Sequence, residues 1–260
     1  MKTRPKEMGN MESLLIKNEI DSSRWYPILV SSYRQDVSYG ILDSLGIQYR
    51  KNISYSLQYL EYIELQLKEL NVSSVIRSML FKNFIIVAAS IIEVVFYHLA
   101  KANGKIKLRY EKQVYRQDIK KPKDINPNVS VDKFTLLGYE TLDRGVEDMT
   151  KFEQLISIVR DNKLLIDTDL SKTKNYLKLL RKLRNKIHLT TATELSETDY
   201  NRFCYSDYLS AKYFLFTVLN DGIFGKEKQT IIPRIIEATN QQIYNYKNNN
   251  LQSYIWINLR

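Results

Sequence analysis

Between Tyr176 and Thr191 the chain reads YLKLLRKLRNKIHLTT, and this stretch holds the residue types that phosphate chemistry needs. It contains Arg181, Arg184, Asn185 and His188, and His188 is the one histidine in a strongly basic setting. On a helix advancing about 100° per residue, Arg181, Arg184 and Asn185 lie roughly 20°, 40° and 60° from His188, so the four polar groups share a face. Tyr176, Leu180, Leu183 and Ile187 form the apolar stripe of the same helix, centred about 120° away. The polar set then stands at the lip of a helix–helix groove.

One reaction suits that set. RNA is cut without a metal when a base takes the 2′-hydroxyl proton, a cation neutralises the phosphorane oxygens and an acid protonates the leaving 5′-oxygen. Histidine titrates near the required pH, and arginine offers a planar fork of donors that matches phosphate. One chain supplies one such histidine, whereas a two-fold dimer would supply an acid and a base. The structural alternative is a histidine capping the helix C-terminus, since TTATELSE follows at once.

Local charge points to the same place. The 260 residues carry a formal charge of +10, with 39 Lys and Arg against 29 Asp and Glu. Residues 101–123 and 172–186 hold +7 each, the second without an acid, so the rest of the chain is net acidic. Basicity this local is what a phosphate backbone attracts. Lys178, Lys182 and Lys186 on the one segment, and Lys105, Lys107, Arg109 and Lys112 on the other, are the expected RNA contacts. Most of the nineteen tyrosines, among them Tyr49, Tyr59, Tyr176 and Tyr213, sit at apolar helical positions that suit a core or rim.

Other chemistries lack their parts. With two histidines and one cysteine, no Cys/His zinc site can be assembled from one chain, and no metal or cofactor is expected. No GxxxxGK[ST], GxGxxG or GxSxG string occurs. Cys204 is expected as a small buried hydrophobe, His98 as a core or boundary residue. The N-terminal segment MKTRPKEMGNMES has no apolar stretch behind its charges, and the chain reads as cytoplasmic.

The elements that position these residues are helical, because 8 Gly and 5 Pro leave few sheet turns. Leu42, Leu45, Tyr49, Ile53, Leu57, Leu60, Ile63 and Leu67 predict an amphipathic helix over 41–71, and a second runs from about Val75 to Ala102 behind Ser73 and Ser74. The stretch from Phe84 to Ala100 is apolar nearly all round, with Glu93 at its middle. A central carboxylate makes it a core helix rather than a membrane span, and an arginine of the 176–191 helix is the partner such an acid needs. Residues 103–145 read as an irregular basic insertion with room for a short β-ribbon, given the alternation Lys105 to Tyr110. Helices are expected over 149–159, 172–189, 199–224 and 231–246. The divisions are a helical region over 1–72, a core over 73–225 and a C-terminal helix and tail over 226–260.

LRKLRNKIHL resembles the Arg-Asn…His signature of the HEPN superfamily, and AASIIEVVFYHL, Ala88 to Leu99, is similar to the Glu-bearing core helix packed beside that signature. The resemblance spans about residues 75–221. It implies an all-α bundle and a dimeric, metal-independent endoribonuclease, with His188 as acid/base, Arg184 or Arg181 on the phosphate, Asn185 beside it and Glu93 in support. Three residues separate Arg184 from His188 and six separate Arg181 from it. The usual gap of the family is longer than the first and reaches the second, which leaves both arginines open. A role in phage defence, as a toxin held by a regulatory or antitoxin protein, is also implied. So is the alternative of a non-catalytic module that binds nucleic acid or a partner protein.

Overall fold

The computed structural model describes residues 28–106, 108–120, 133–147, 151–185 and 202–249. Seven α-helices and one two-stranded antiparallel sheet make up the described fold. The elements are α1 (Val30–Asp36), α2 (Ile47–Glu69), α3 (Ser74–Ala102), β1 (Leu108–Lys120), β2 (Lys133–Glu147), α4 (Phe152–Asp161), α5 (Lys174–Asn185), α6 (Tyr205–Leu219) and α7 (Ile232–Asn249). They fall into two compact units, the helices in one and the ribbon, within Gly104–Lys151, in the other.

Helix α3 is the axis of the helical unit. Ser73 accepts the Ile76 N–H at its start, as the sequence predicts for a cap, and α2, α4, α5 and α6 pack along its length. Phe84, Ile85, Ala88, Ala89, Ile92, Val95, Phe96 and Leu99 are buried. By length and composition α3 is the one described helix long and apolar enough to cross a membrane. Here four other helices pack against it and leave Ile86, Val87, Val94 and Tyr97 half-buried. Helix α6, which packs on α3, buries Leu209, Ala211, Phe214, Leu215 and Val218 and also packs against α7.

The expected helix over 41–71 begins later. Residues Gly40–Ser44 form a 3₁₀ turn and α2 starts at Ile47. Leu42 and Leu45 are nevertheless buried with Ile53, Leu57, Leu60 and Ile63, because a 3₁₀ turn repeats every three residues and mimics the helical spacing. Gly40 takes φ of +56°, and a Cβ there would collide with the Ile223 carbonyl oxygen. Tyr49 and Tyr59, expected in a core or rim, lie on the solvent side of α2, 55% and 44% exposed.

Two buried carboxylates join distant parts of the chain. Asp36, at the end of α1, accepts the backbone N–H groups of Thr230, Ile231 and Ile232 at 2.7–3.1 Å and so caps α7 from outside it. Asp221 accepts Ile166, Asp167 and Thr168 N–H at 2.8–2.9 Å and holds the loop between α4 and α5.

The insertion is more regular than expected. Its strands pair antiparallel from Leu108 opposite Glu147 to Lys120 opposite Lys133, with irregularities between Arg109 and Glu111 and between Gln113 and Tyr115.

Candidate active site on helices α3 and α5

Helix α5 is amphipathic as its spacing requires. Tyr176, Leu177, Leu180 and Leu183 are buried, and Lys178, Lys182 and Asn185 are exposed. Tyr176 stacks edge-on against Phe214 with centroids 5.7 Å apart, which anchors the helix to α6.

The arginines stand where α5 passes its neighbours. Arg184, in the last turn, donates from Nη2 to Oε2 of Glu93 on α3 at 2.7 Å. Arg181, one turn earlier, pairs with Glu153 in the first turn of α4. A carboxylate from a different helix therefore meets each guanidinium, and the bond to Glu93 uses one of the five donors of Arg184. Glu153 is a partner that sequence reading missed, since nothing in α4 marks which of its faces lies over α5.

Glu93 differs from its expected setting. Its side chain is 26% exposed and that of Arg184 34%, so the pair lies at the edge of the core rather than inside it. Among the described residues, this side of α3 is only partly covered. Ile86, Ser90, Val94 and Tyr97, at helical spacing around Glu93, are half-buried or exposed, although most of them are apolar.

Asn185 is the last residue of α5. Lys186 and His188 lie outside the described residues, as does Lys107. Of the other residues expected to bind RNA, Lys105 and Lys112 are exposed and Arg109 pairs in register with Val146. Lys112 stands opposite Glu140 in the register of the two strands.

The other reactive side chains have structural work. His98 places Nε2 3.1 Å from the Ile41 carbonyl and 3.0 Å from Ser44 Oγ, tying α3 to the 3₁₀ turn, and burial lowers its pKa. Cys204 is exposed, not buried as expected, because it is the N-cap residue of α6. Its thiol donates to Asp207 Oδ2 at 3.2 Å, and partial burial of the sulfur with the neighbouring carboxylate raises its pKa. That is the wrong direction for a nucleophile. Among the described residues no three His, Cys, Asp or Glu side chains converge as a metal-binding group.

Comparison of the chain with protein-family models, curated proteins and solved structures finds no match.

Proposed function

We propose that the protein is a metal-independent endoribonuclease of HEPN type that works as a homodimer. The observation that carries the reading is the ion pair from Glu93 to Arg184. It fixes a guanidinium, with four further donors, beside Asn185 at the end of a basic helix, and His188 follows three positions later in the sequence. In the reaction, a base removes the 2′-hydroxyl proton, the 2′-oxygen attacks phosphorus, and the 5′-oxygen leaves with a proton from an acid. The products are a 2′,3′-cyclic phosphate and a 5′-hydroxyl. Arg184 neutralises the phosphorane, with Arg181 nearby, and His188 of each copy supplies one proton transfer. Lys178, Lys182 and Lys186 draw the RNA backbone to α5.

The half-open apolar face of α3 around Ile86, Val94 and Tyr97 supports pairing with a second copy beside the site. A defence role, with a regulatory or antitoxin protein restraining the cleavage, accompanies this reading through the family resemblance.

The test is incubation of the purified chain with single-stranded RNA in excess EDTA. Cleavage leaving 2′,3′-cyclic ends, lost in His188→Ala at unchanged thermal stability, is the expected result. One observation favours the non-catalytic reading, in which the same surface only binds RNA or protein. Both arginines are already met by carboxylates, which lowers the charge they offer a phosphate. Binding to RNA without cleavage at any protein concentration decides for it.

A further inference from the structure

The β-ribbon is uncovered as described. Among the described residues its strands pair only with each other, and Tyr110, Val114, Tyr115, Leu136 and Tyr139 are 47–56% exposed. A two-stranded ribbon is marginal in water by itself, and each edge presents unpaired N–H and C=O groups. The edges differ. On β2 four residues intervene between Thr141 and Val146 where β1 has only Tyr110, which interrupts that edge. On β1 the irregularity between Gln113 and Tyr115 adds one residue, Val114, and the pairing is continuous over Glu111–Gln113 before it and Tyr115–Lys120 after it.

We propose that the outer edge of β1 pairs antiparallel with the same edge of a second copy of this chain, about a two-fold axis at Gln113. The inference is independent of the nuclease reading. Antiparallel partners must share a phase, and the extra residue Val114 brings the two halves of β1 into phase for one arrangement. Gln113 then lies opposite itself, Lys112 opposite Tyr115, Glu111 opposite Arg116, Tyr110 opposite Gln117, Arg109 opposite Asp118 and Leu108 opposite Ile119. Both acids of the strand face arginines, and the two-fold axis doubles each pairing.

Neighbouring registers lack this match. Sliding two residues one way sets Arg109 against Arg116 and Lys112 against itself. Sliding two the other way sets Arg109 against Lys120 and Glu111 against Asp118. Like charges directly opposite are destabilising, so charge selects the register as well as the partner. RNA is the weaker occupant, because the two strands together hold six basic and five acidic residues.

The test uses the full chain with two readouts. In sedimentation, Arg116→Glu should weaken self-association at least about fourfold, since it turns two attractive pairs across the axis repulsive, and Glu111→Arg with Arg116→Glu should restore it. If the α3 face also pairs, Arg116→Glu removes one step of a larger assembly and the double variant returns that step. For disulfide trapping, the exposed Cys204 is first replaced by Ser. Gln113→Cys should then form a covalent dimer under mild oxidation, because directly opposed Cα atoms lie about 4.5–5.5 Å apart. Gln117→Cys, about 20 Å from its copy, should not. Absence of the Gln113→Cys dimer, or failure of the double charge reversal to restore association, overturns the proposal. Arg116→Glu that lowers RNA affinity at unchanged sedimentation also overturns it and assigns the ribbon to RNA.

Discussion

The bond between Glu93 and Arg184 can be weighed by a double-mutant cycle with Glu93→Ala, Arg184→Ala and both. A charge-assisted hydrogen bond sheltered from water contributes about 1.5–3 kcal/mol, and an exposed ion pair about 0.2–1 kcal/mol. This pair has a good distance, 2.7 Å, but side chains 26% and 34% exposed, which places it between those limits. The coupling energy should be about 1–2 kcal/mol. Each single variant leaves a charge that water still reaches, so neither should approach the 3–5 kcal/mol lost when a fully buried pair is broken. Arg184→Ala also gives up a cation in the last turn of α5, worth about 0.3–1 kcal/mol against the helix dipole, and the cycle subtracts that term. Urea unfolding followed by circular dichroism at low ionic strength supplies the four stabilities. Repeated in 1 M salt, the coupling should fall but persist, since screening acts most on the solvated side of the pair. A coupling under about 0.3 kcal/mol would show that Glu93 does not hold Arg184 in place. One above about 3 kcal/mol would mean that α3 is covered at this point in solution, as by a second copy.

Two further outcomes test the helical core. Lys212 is buried and donates to Glu64 at 2.7 Å and to Gln242 at 3.1 Å, whereas Glu64 keeps 28% of its side chain exposed. Glu64→Ala strands a buried ammonium and should cost about 3–5 kcal/mol, while Lys212→Met should cost about half as much, and urea midpoints in the reverse order would refute this reading of the pair. His98 has a lowered folded pKa through burial, so the unfolded chain takes up the proton first. Its contribution to stability is complete above the unfolded value of about 6.5 and is lost as pH falls through that value and on through the folded one. The Tm of His98→Gln should therefore change less than that of wild type between pH 7 and pH 5, and parallel curves would count against it.

What was legible in the sequence follows from how far each signal reaches along the chain. The stripe from Leu42 to Ile63 and the stripe of α5 are local periodicities, and apart from the exposed Tyr49 the described residues they mark are buried. The boundary at Ile47 was hidden because a 3₁₀ turn and an α-helix can bury residues at the same three-residue spacing. In β2 the run FTLLGYETL shows no clean alternation of apolar and polar residues, since apolar side chains such as Leu136 and Leu137 are exposed on both faces, and its full length was not apparent. The need of Glu93 for an arginine was readable from a carboxylate in an apolar helix, but its partial exposure was not, because that depends on which side of α3 is left open.

The long-range polar contacts lie furthest from sequence reasoning. Asp36 caps a helix nearly two hundred positions away, and no local pattern announces it. Glu153 likewise becomes the partner of Arg181 only once α4 and α5 are packed together. This matters for the chemistry, because the two arginines that sequence spacing left equivalent are held differently. Arg181 is tied to a first-turn residue of a ten-residue helix whose side chain is 62% exposed, and Arg184 to the central helix of the unit. A group that must meet a phosphate in one geometry benefits from the more rigid support, so Arg184 is the better placed of the two. Arg184→Lys keeps the charge but loses the fork, and it should reduce kcat for RNA cleavage more than Arg181→Lys does. Equal losses would mean that the two arginines act as a diffuse cationic patch, and that the bond to Glu93 serves the fold alone.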